Sequence, residues 1–239
     1  MYFHRGFKLG ELPFTCDIHS HILPGVDDGI QDDQEAVNVL RKYQENGIAQ
    51  VVFTPHVDTG MFPKNNESFL KERFKSFMDI LPEDLHIQIH MAAEYMCNET
   101  LKIGKDLLIL GKTGVLIEMS YFFQYPYVKE TIFALMTAGY KPILAHPERY
   151  IYLAKKMDAF DKFMDMGCLF QLNLLSLSGV YGIRSKEIMH YLLRENMYSY
   201  AGSDVHSHRQ FQRLKDTRLS TKLAAKVEEL MNNNKELFS

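Results

Sequence analysis

The sequence has only three cysteines, and no two of them have the spacing of a metal-binding or redox pair. Cys16, Cys97 and Cys168 are odd in number and far apart in the chain. They form no Cys-x-x-Cys motif, so the pattern argues against a disulfide framework and against a thiolate zinc site. Low cysteine usage of this kind is typical of a reducing compartment, and we expect a cytoplasmic protein.

An excess of basic residues is also missing, as is any long apolar run. The net charge of -3 provides no positive field for a nucleic-acid backbone, so no nucleic-acid partner is expected. No stretch approaches the roughly 18 consecutive apolar residues of a membrane span. The N-terminus lacks the apolar core of a signal peptide. We therefore expect a soluble chain without direct membrane insertion.

What the sequence does contain is a regular alternation of apolar runs and helical patterns. The hydrophobic share of 46% in 239 residues is ordinary for a globular domain with a full core. Helical spacing first appears after Asp32, which with Glu35 forms a capping-box pattern. Short runs rich in Val, Ile and Leu predict buried strands, and they cover residues 15–18, 49–53, 87–93, 115–117, 142–145, 168–172 and 198–201.

Seven strand–helix alternations predict an α/β fold with a parallel sheet. An eight-stranded barrel has roughly 250 residues, so a seven-stranded, TIM-barrel-like (β/α)7 fold suits this length. An open doubly wound sheet is the alternative. No linker or charge block divides the chain, and we predict one domain over residues 1–239, with residues 1–12 as an N-terminal arm that docks on the barrel or on a partner.

Residues with metal-binding side chains follow the predicted strands. The first strand leads into Asp17-Ile18-His19-Ser20-His21, and histidines or carboxylates end most of the later strands. In parallel barrels this C-terminal rim carries the active site. Taken singly, such a residue is more often a satisfied core histidine or a helix cap, and we regard His4, His86, His90 and His190 as structural or solvated. The candidates at the rim are His19, His21, His56, Glu94, Glu118, His146, Asp204 and His206.

The number of candidate ligands predicts more than one metal ion. A catalytic ion commonly uses three or four protein ligands, whereas this rim offers eight or nine. Paired ions roughly 3.5–4 Å apart are typical of hydrolysis at phosphorus. We therefore expect two or three divalent ions and a phosphoesterase.

The ordered motifs resemble the PHP (polymerase and histidinol phosphatase) family, and more closely its capsule and exopolysaccharide branch of manganese-dependent protein-tyrosine phosphatases. Besides the first His-x-His, the resemblance rests on motifs between Val26 and His206: Val26-Asp27-Asp28-Gly29, Thr54-Pro55-His56, Ala93-Glu94, Ile117-Glu118, Ala145-His146-Pro147-Glu148-Arg149-Tyr150 and Ser203-Asp204-Val205-His206. It implies a distorted seven-stranded barrel with a trinuclear site. Manganese is the first choice of metal, with Fe, Zn, Mg or Co as alternatives.

The resemblance also implies how the ligands divide. His19, His21, Glu94 and Asp204 would hold one ion; Glu94 would bridge to a second held by Glu118 and His146; Asp28, His56 and His206 would hold the third. Asp27 is expected only to shape the turn. The implied mechanism is in-line attack on phosphorus by a metal-bridging hydroxide.

Three further residues are candidates for catalysis. Arg149, two residues past Pro147, is placed to hold phosphate oxygens with its planar fork of donors. Arg209 is the counterpart of an arginine that follows the last metal motif in the family. His208 is a candidate general acid, although phenol leaves readily enough to make a dedicated acid less necessary.

An aromatic stretch after the fourth strand has two interpretations. It is either a wall that stacks on a substrate ring or, as we favour, packing of the loop against the barrel; it comprises Tyr121, Phe122, Phe123, Tyr125 and Tyr127. Met61 and Phe62, in the loop after His56, allow the same two interpretations, with a mobile lid as the functional one.

The leading hypothesis is a protein-tyrosine phosphatase that acts on a membrane-associated tyrosine kinase of capsule or exopolysaccharide synthesis. A cysteine-dependent phosphatase is excluded, because the residues six beyond the three cysteines are Ile22, Ile103 and Leu174 rather than arginine. An amidohydrolase commonly has a lysine where this chain has Glu118. A small-molecule phosphatase acting on a substrate like histidinol phosphate, and a non-catalytic kinase-binding module stabilised by metal, remain as alternatives.

Overall fold

The computed structural model describes residues 6–123 and 126–238. Its helices are α1 Asp33–Glu45, α2 Glu67–Met78, α3 Val128–Thr137, α4 Asp158–Asp165, α5 Gly182–Arg194, α6 His208–Asp216 and α7 Thr221–Asn233. Its strands are β1 Phe7–Lys8, β2 Cys16–Ser20, β3 Gln50–Phe53, β4 His56–Val57, β5 Gln88–Met91, β6 Glu94–Met96, β7 Gly114–Glu118, β8 Lys141–Ala145, β9 Leu169–Asn173, β10 Tyr200–Gly202 and β11 Arg218–Leu219.

Two parallel sheets form the centre of the described chain. One has the order β10-β9-β8-β7-β6-β4 and the other the order β2-β3-β5. Two strand pairs, β3 with β4 and β5 with β6, are separated by two residues only, and a parallel bridge from Ser20 to Val205 links β2 to the end of β10. The predicted parallel α/β architecture is confirmed, but the strands are divided between two sheets rather than one.

The division occurs where the second and third predicted strands are interrupted. Pro55 has no backbone N–H to donate, so it breaks the ladder between β3 and β4. The backbone continues to pair across the gap, because Ala92 N donates to Phe53 O at 2.9 Å and Glu94 N donates to Pro55 O at 3.1 Å. His56 and Glu94 therefore begin short strands, whereas the sequence pattern placed them at strand ends.

The core has a large and a small apolar cluster. The small one packs between the two sheets and is built from residues of β2, β3, β7 and β8 together with Ala92 and Leu110. Leu237 and Phe238, at the C-terminus, pack against it. The large cluster joins the strands to the surrounding helices. Most strands of the two parallel sheets are thus buried on both faces, as their composition predicted, whereas the residues of β5 are exposed or only partly buried.

The capping-box signal gave an accurate helix start. Asp32 caps α1, and its side chain accepts a hydrogen bond from Glu35 N at 3.0 Å, as the capping pattern predicted. The last helix, α7, is followed by a 3₁₀ turn over Asn234–Phe238. Helix α6 was not predicted, because its sequence is mostly polar and carries few apolar residues at helical spacing.

The N-terminal arm packs against the C-terminal part of its own chain. Residues 1–5, including His4, lie outside the described residues. Strand β1 pairs antiparallel with β11, and Leu9 N donates to Thr217 O at 2.9 Å. Leu9 is buried, which anchors the arm beside α6. In the part of the chain that the structure covers, no helix combines the length and apolarity needed to cross a membrane.

Candidate metal centre

Nine polar side chains from six separate chain segments converge in one cluster beside the parallel strands. All nine are predicted metal ligands. Their donor atoms form three overlapping groups, in each of which the atoms lie within 4.8 Å of one another: His21, Asp28, His56 and His206; His19, Glu94, His146 and Asp204; and His56, Glu94 and Glu118. Most of them are buried, and Asp28 marks the solvent-exposed end of the cluster.

At the buried end, four donor atoms face a common point. His19 Nε2 and His21 Nε2 are 3.2 Å apart. Glu94 Oε2 lies 3.2 and 3.3 Å from them, and Asp204 Oδ1 lies 3.4 and 3.3 Å from them. Four ligands arranged tetrahedrally at about 2.0–2.1 Å from an ion would stand about 3.3 Å apart. The spacing of these atoms therefore suits one divalent cation.

The opposite ring nitrogens show how one cation would fit here. His21 Nδ1 donates to the Asp27 carboxylate at 2.8 Å. His19 Nδ1 donates to Gln171 Oε1 at 2.9 Å, since the amide nitrogen of Gln171 itself donates to the carbonyls of Leu172 and Gly202. With both Nδ1 atoms protonated, each Nε2 faces the carboxylates and needs either a proton or a metal ion there, and one divalent cation would serve both rings at once.

A second set of donors surrounds Glu94 and Glu118. His146 Nε2 is 2.9 Å from Glu94 Oε1, and His56 Nδ1 is 2.9 Å from Glu118 Oε1. Despite this short distance, His56 Nδ1 is a buried atom without a hydrogen-bond partner. An unbonded buried nitrogen beside two carboxylates is a metal-ligand arrangement, because burial without a partner is otherwise costly.

The exposed end of the cluster is formed by Asp28 and two imidazoles. Asp28 Oδ1 lies 3.4 Å from His56 Nε2 and 3.5 Å from His206 Nε2. His56 thus faces Glu118 with one nitrogen and Asp28 with the other, between two parts of the centre. The division of the ligands among individual ions stays a prediction.

The charges in the cluster keep its carboxylates ionised. Burial alone would raise the pKa of Glu94, but His19 and His146 beside it hold that pKa well below its usual range. Burial likewise acts against ionisation of Asp204, and His19, His21 and His206 lower its pKa well below the ordinary value. Ionised oxygens are the form that binds hard divalent cations.

Two of the candidate ligands are held in a strained backbone conformation. His146 has φ 37° and Asp204 has φ 53°, in the left-handed region that non-glycine residues seldom adopt. Each such residue costs on the order of 1–3 kcal/mol and persists only where its surroundings enforce it. At both positions the chain leaves a strand end, and the unusual turn directs the side chain into the cluster.

Asp17 connects the first strand to the loop that carries Asp204. Its carboxylate accepts hydrogen bonds from Ser203 N at 2.9 Å, Ser203 Oγ at 2.6 Å and Tyr43 Oη at 2.9 Å. All three residues are buried. Asp17 therefore fixes the strand that bears His19 against the turn that bears Asp204.

Arg149 is held beside the cluster by a carboxylate and two aromatic rings. Its Nη1 donates to Asp204 Oδ2 at 2.9 Å. Its Cζ lies 4.2 Å from the ring centroid of Tyr121 and 4.3 Å from that of Tyr181. The guanidinium is thus sandwiched in one orientation, with part of its donor fork left for a ligand.

The other two predicted catalytic residues lie apart from the cluster. His208 begins α6, is exposed, and lines a surface cleft of about 420 Å³ with Glu35, Asn38 and other α1 residues. Arg209, the next residue, is exposed as well. Among the described residues, neither side chain forms a hydrogen bond or ion pair with a predicted metal ligand. Their catalytic roles stay predictions.

The aromatic stretch divides between packing and exposure. Tyr121 packs on Arg149, whereas Phe122 is fully exposed and Tyr127 is about half exposed. Tyr125 lies outside the described residues. In the other predicted loop, the ring of Phe62 stacks on His56 with centroids 5.4 Å apart, and Met61 is exposed.

Sequence reasoning missed several side chains that orient the centre. Gln171 fixes the His19 ring, and Asp27 does more than shape its turn, since it fixes His21 as well. Asn173 donates to Asp204 Oδ2 at 2.6 Å. One signal was available: Gln171 and Asn173 are polar residues in an otherwise apolar, buried strand, and such residues need partners.

Glu148 stabilises the turn that carries His146 and Arg149. It is fully buried and accepts hydrogen bonds from Ser176 Oγ at 2.6 Å, Tyr198 Oη at 2.8 Å and Asn173 N at 3.1 Å. Glu148→Ala leaves three buried donors without an acceptor, so we expect the free energy of unfolding in urea to fall by about 3 kcal/mol. Glu187→Ala, on the exposed face of α5, is the control and should change little; equal losses in both variants would contradict the role of Glu148.

Among the described residues, no cysteine belongs to the three groups of candidate metal ligands. All three are buried and free. Burial raises the pKa of the Cys16 and Cys168 thiols to about 12. A thiol that stays protonated is a poor nucleophile. Nucleophilic attack in this protein therefore has to come from another group.

Comparison with known proteins shows which family this chain matches. A sequence model described as "Capsular polysaccharide synthesis, CpsB/CapC" matches residues 15–235. The tyrosine-protein phosphatase YwqE of Bacillus subtilis is 28% identical over 196 residues, which are 80% of this chain and 77% of YwqE. The putative tyrosine-protein phosphatase CapC of Staphylococcus aureus is 28% identical over 222 residues, which are 90% of this chain and 86% of CapC.

Solved structures agree with the sequence matches. A structure from the pair YwqE of Bacillus subtilis and CpsB of Streptococcus pneumoniae, metal-dependent tyrosine phosphatases, superposes with a TM-score of 0.71 and 25% identity. The match covers 93% of this chain and 94% of that one. The phosphotriesterase homology protein of Escherichia coli superposes with a TM-score of 0.51 and 12% identity over the whole of both chains, which shows a shared TIM-barrel-like fold alone.

Proposed function

The chain belongs to the CpsB/CapC family of capsular polysaccharide synthesis, and we propose that it is a metal-dependent phosphatase that hydrolyses phosphotyrosine on a protein. The observation that carries this proposal is the set of four donor atoms of His19, His21, Glu94 and Asp204, in which each histidine Nε2 lies 3.2–3.4 Å from the other three donor atoms. Relatives and a solved neighbour of the same family are tyrosine phosphatases.

We propose that the nine donors bind two or three divalent ions, with manganese as the preferred metal. His19, His21, Glu94 and Asp204 would hold the first, and Glu94, Glu118 and His146 would hold a second. Asp28, His56 and His206 would hold the third at the exposed end. When bound, such ions would lower the pKa of a water molecule towards neutrality and neutralise charge on the phosphoryl oxygens.

The protein's own groups position the substrate. Arg149 keeps one donor on Asp204 and offers its remaining N–H groups to phosphate oxygens, in a plane fixed by Tyr121 and Tyr181. Asp27 and Gln171 keep the two imidazoles from rotating. The buried position of Glu94 and His146 excludes bulk water from the innermost part of the site.

The arrangement of strands supports one further proposal, on the fold. Joining β3 to β4 and β5 to β6 within the described residues leaves seven parallel strands in chain order, and the Ser20–Val205 bridge joins the last to the first. We propose that they form one distorted seven-stranded barrel and one domain. The mouth of that barrel would hold the metal centre.

The substrate that fits this family is a phosphotyrosine on a tyrosine kinase of capsule or exopolysaccharide synthesis. We propose that this kinase is membrane-associated and that the phosphatase meets it from the cytoplasm. Support for the partner comes from the family to which the chain belongs.

An assay on the metal-stripped protein tests the proposed reaction. With manganese restored, we expect kcat/KM for a phosphotyrosine peptide to exceed that for histidinol phosphate by about 100-fold or more, because phenol is the better leaving group. The stripped protein without added metal is the control and should be inactive. A preference for histidinol phosphate would contradict the protein substrate, and metal-independent turnover would contradict the metal mechanism.

A further inference from the structure

Several exposed apolar side chains lie close in the chain to residues of the metal centre. They come from four different segments, and we call them the apolar collar: Met61, Phe122, Ile151, Val180 and Ile183. Phe122 is 88% exposed, Met61 72% and Ile183 70%. Single exposed apolar residues are ordinary on protein surfaces, but a group beside one site commonly marks an interaction surface.

Short chain distances tie each collar residue to the centre. Phe122 follows Tyr121, and Val180 and Ile183 flank Tyr181; the rings of these two tyrosines enclose Arg149. Ile151 lies two residues beyond Arg149. In the remaining segment, Met61 precedes Phe62, whose ring stacks on His56. Every collar residue is thus within two positions of a side chain that is part of the centre or contacts it.

The location of the collar determines what can cover it. Arg149 and the exposed Asp28 mark the open side of the centre, so a phosphate carried on a side chain must bring its own backbone across the collar. A small phosphorylated metabolite has no peptide chain on either side of its phosphate, so it could not contact all four segments of the collar. Charged neighbours in a substrate would lose hydration against apolar surface without gaining a partner.

We propose that the apolar collar binds apolar side chains on both sides of the phosphotyrosine in a protein substrate. This proposal rests on the proposed phosphotyrosine hydrolysis and adds a sequence preference to it. Each large apolar side chain that the collar covers is expected to strengthen binding by about tenfold. The effect falls on KM, because the flanking residues are bound equally in the ground and transition states.

A pair of matched double variants tests the collar. Phe122→Ser/Ile183→Ser removes two collar residues, and Ile80→Ser/Phe133→Ser removes one Ile and one Phe that are 52% and 67% exposed elsewhere. The substrates are a phosphotyrosine peptide with Leu and Val neighbours, a peptide of equal length with Ser and Gly neighbours, and p-nitrophenyl phosphate as a substrate without a chain.

The wild-type protein should prefer the apolar-flanked peptide by about 100-fold in kcat/KM, tenfold for each of its two apolar neighbours, and the collar variant should lose most of that preference through KM. The control variant should keep the preference for the apolar-flanked peptide. Met61→Ser, which changes the collar residue next to Phe62, should reduce that preference. Equal rates on both peptides in the wild type, or equal losses in the two double variants, would overturn the collar while leaving phosphotyrosine hydrolysis intact. Turnover of histidinol phosphate with neither peptide cleaved would overturn the proposed function itself.

Discussion

Replacing His19 and His21 together with alanine is expected to abolish metal binding at the buried end of the centre and to lower phosphotyrosine hydrolysis by at least about 10³-fold. The two imidazoles provide half of the four donors that face one point. Without a cation there, the pKa of the attacking water would rise to that of bulk water, and little hydroxide would form at neutral pH. Metal content by elemental analysis and kcat/KM on a phosphotyrosine peptide measure the two losses.

The matched control is His86→Ala/His190→Ala, which removes two exposed histidines. That protein should retain metal and activity, and circular dichroism should show both variants folded. Removal of two buried side chains lowers stability through cavity formation, so the comparison is made well below the unfolding temperature of each protein. Full activity in the His19→Ala/His21→Ala variant would contradict the metal mechanism.

The same two histidines show how much of the candidate site could be predicted from the sequence. His-x-His after a strand is a weak pattern, and its meaning came from ligand-type residues at the ends of later strands. Strand ends are predictable because parallel strands are short apolar runs bounded by polar residues. Since such ends meet at one rim, the composition of the cluster could be predicted before any coordinate was known.

The finer geometry could not be predicted, because it depends on contacts between distant segments. Pro55 signals a break in its strand, but the corresponding break at Ala92 and Ala93 carries no such signal. The backbone strain at His146 and Asp204 is invisible in a sequence, since both residue types also occur in ordinary turns. Tyr181, about thirty residues past Arg149 in the chain, offers no pattern that pairs the two.

Arg149→Ala is expected to lower kcat/KM on a phosphotyrosine peptide by about 10²–10³-fold while metal content stays unchanged. Removal of one charged group that stabilises the transition state typically has an effect of this size. The metal ligands should stay in place, because Asn173 still donates to Asp204 Oδ2 at 2.6 Å after Arg149 Nη1 is gone. Elemental analysis beside steady-state kinetics distinguishes the two effects.

Two further variants determine whether the guanidinium itself is needed. Arg149→Lys keeps the charge but loses the planar fork and its fit between the rings of Tyr121 and Tyr181, so most of the activity should still be lost. Arg184→Ala removes an exposed arginine that pairs with Glu187 on α5, and its activity should equal that of the wild type. If metal content fell together with activity in Arg149→Ala, Arg149 would be a support for Asp204 rather than a group that binds phosphate.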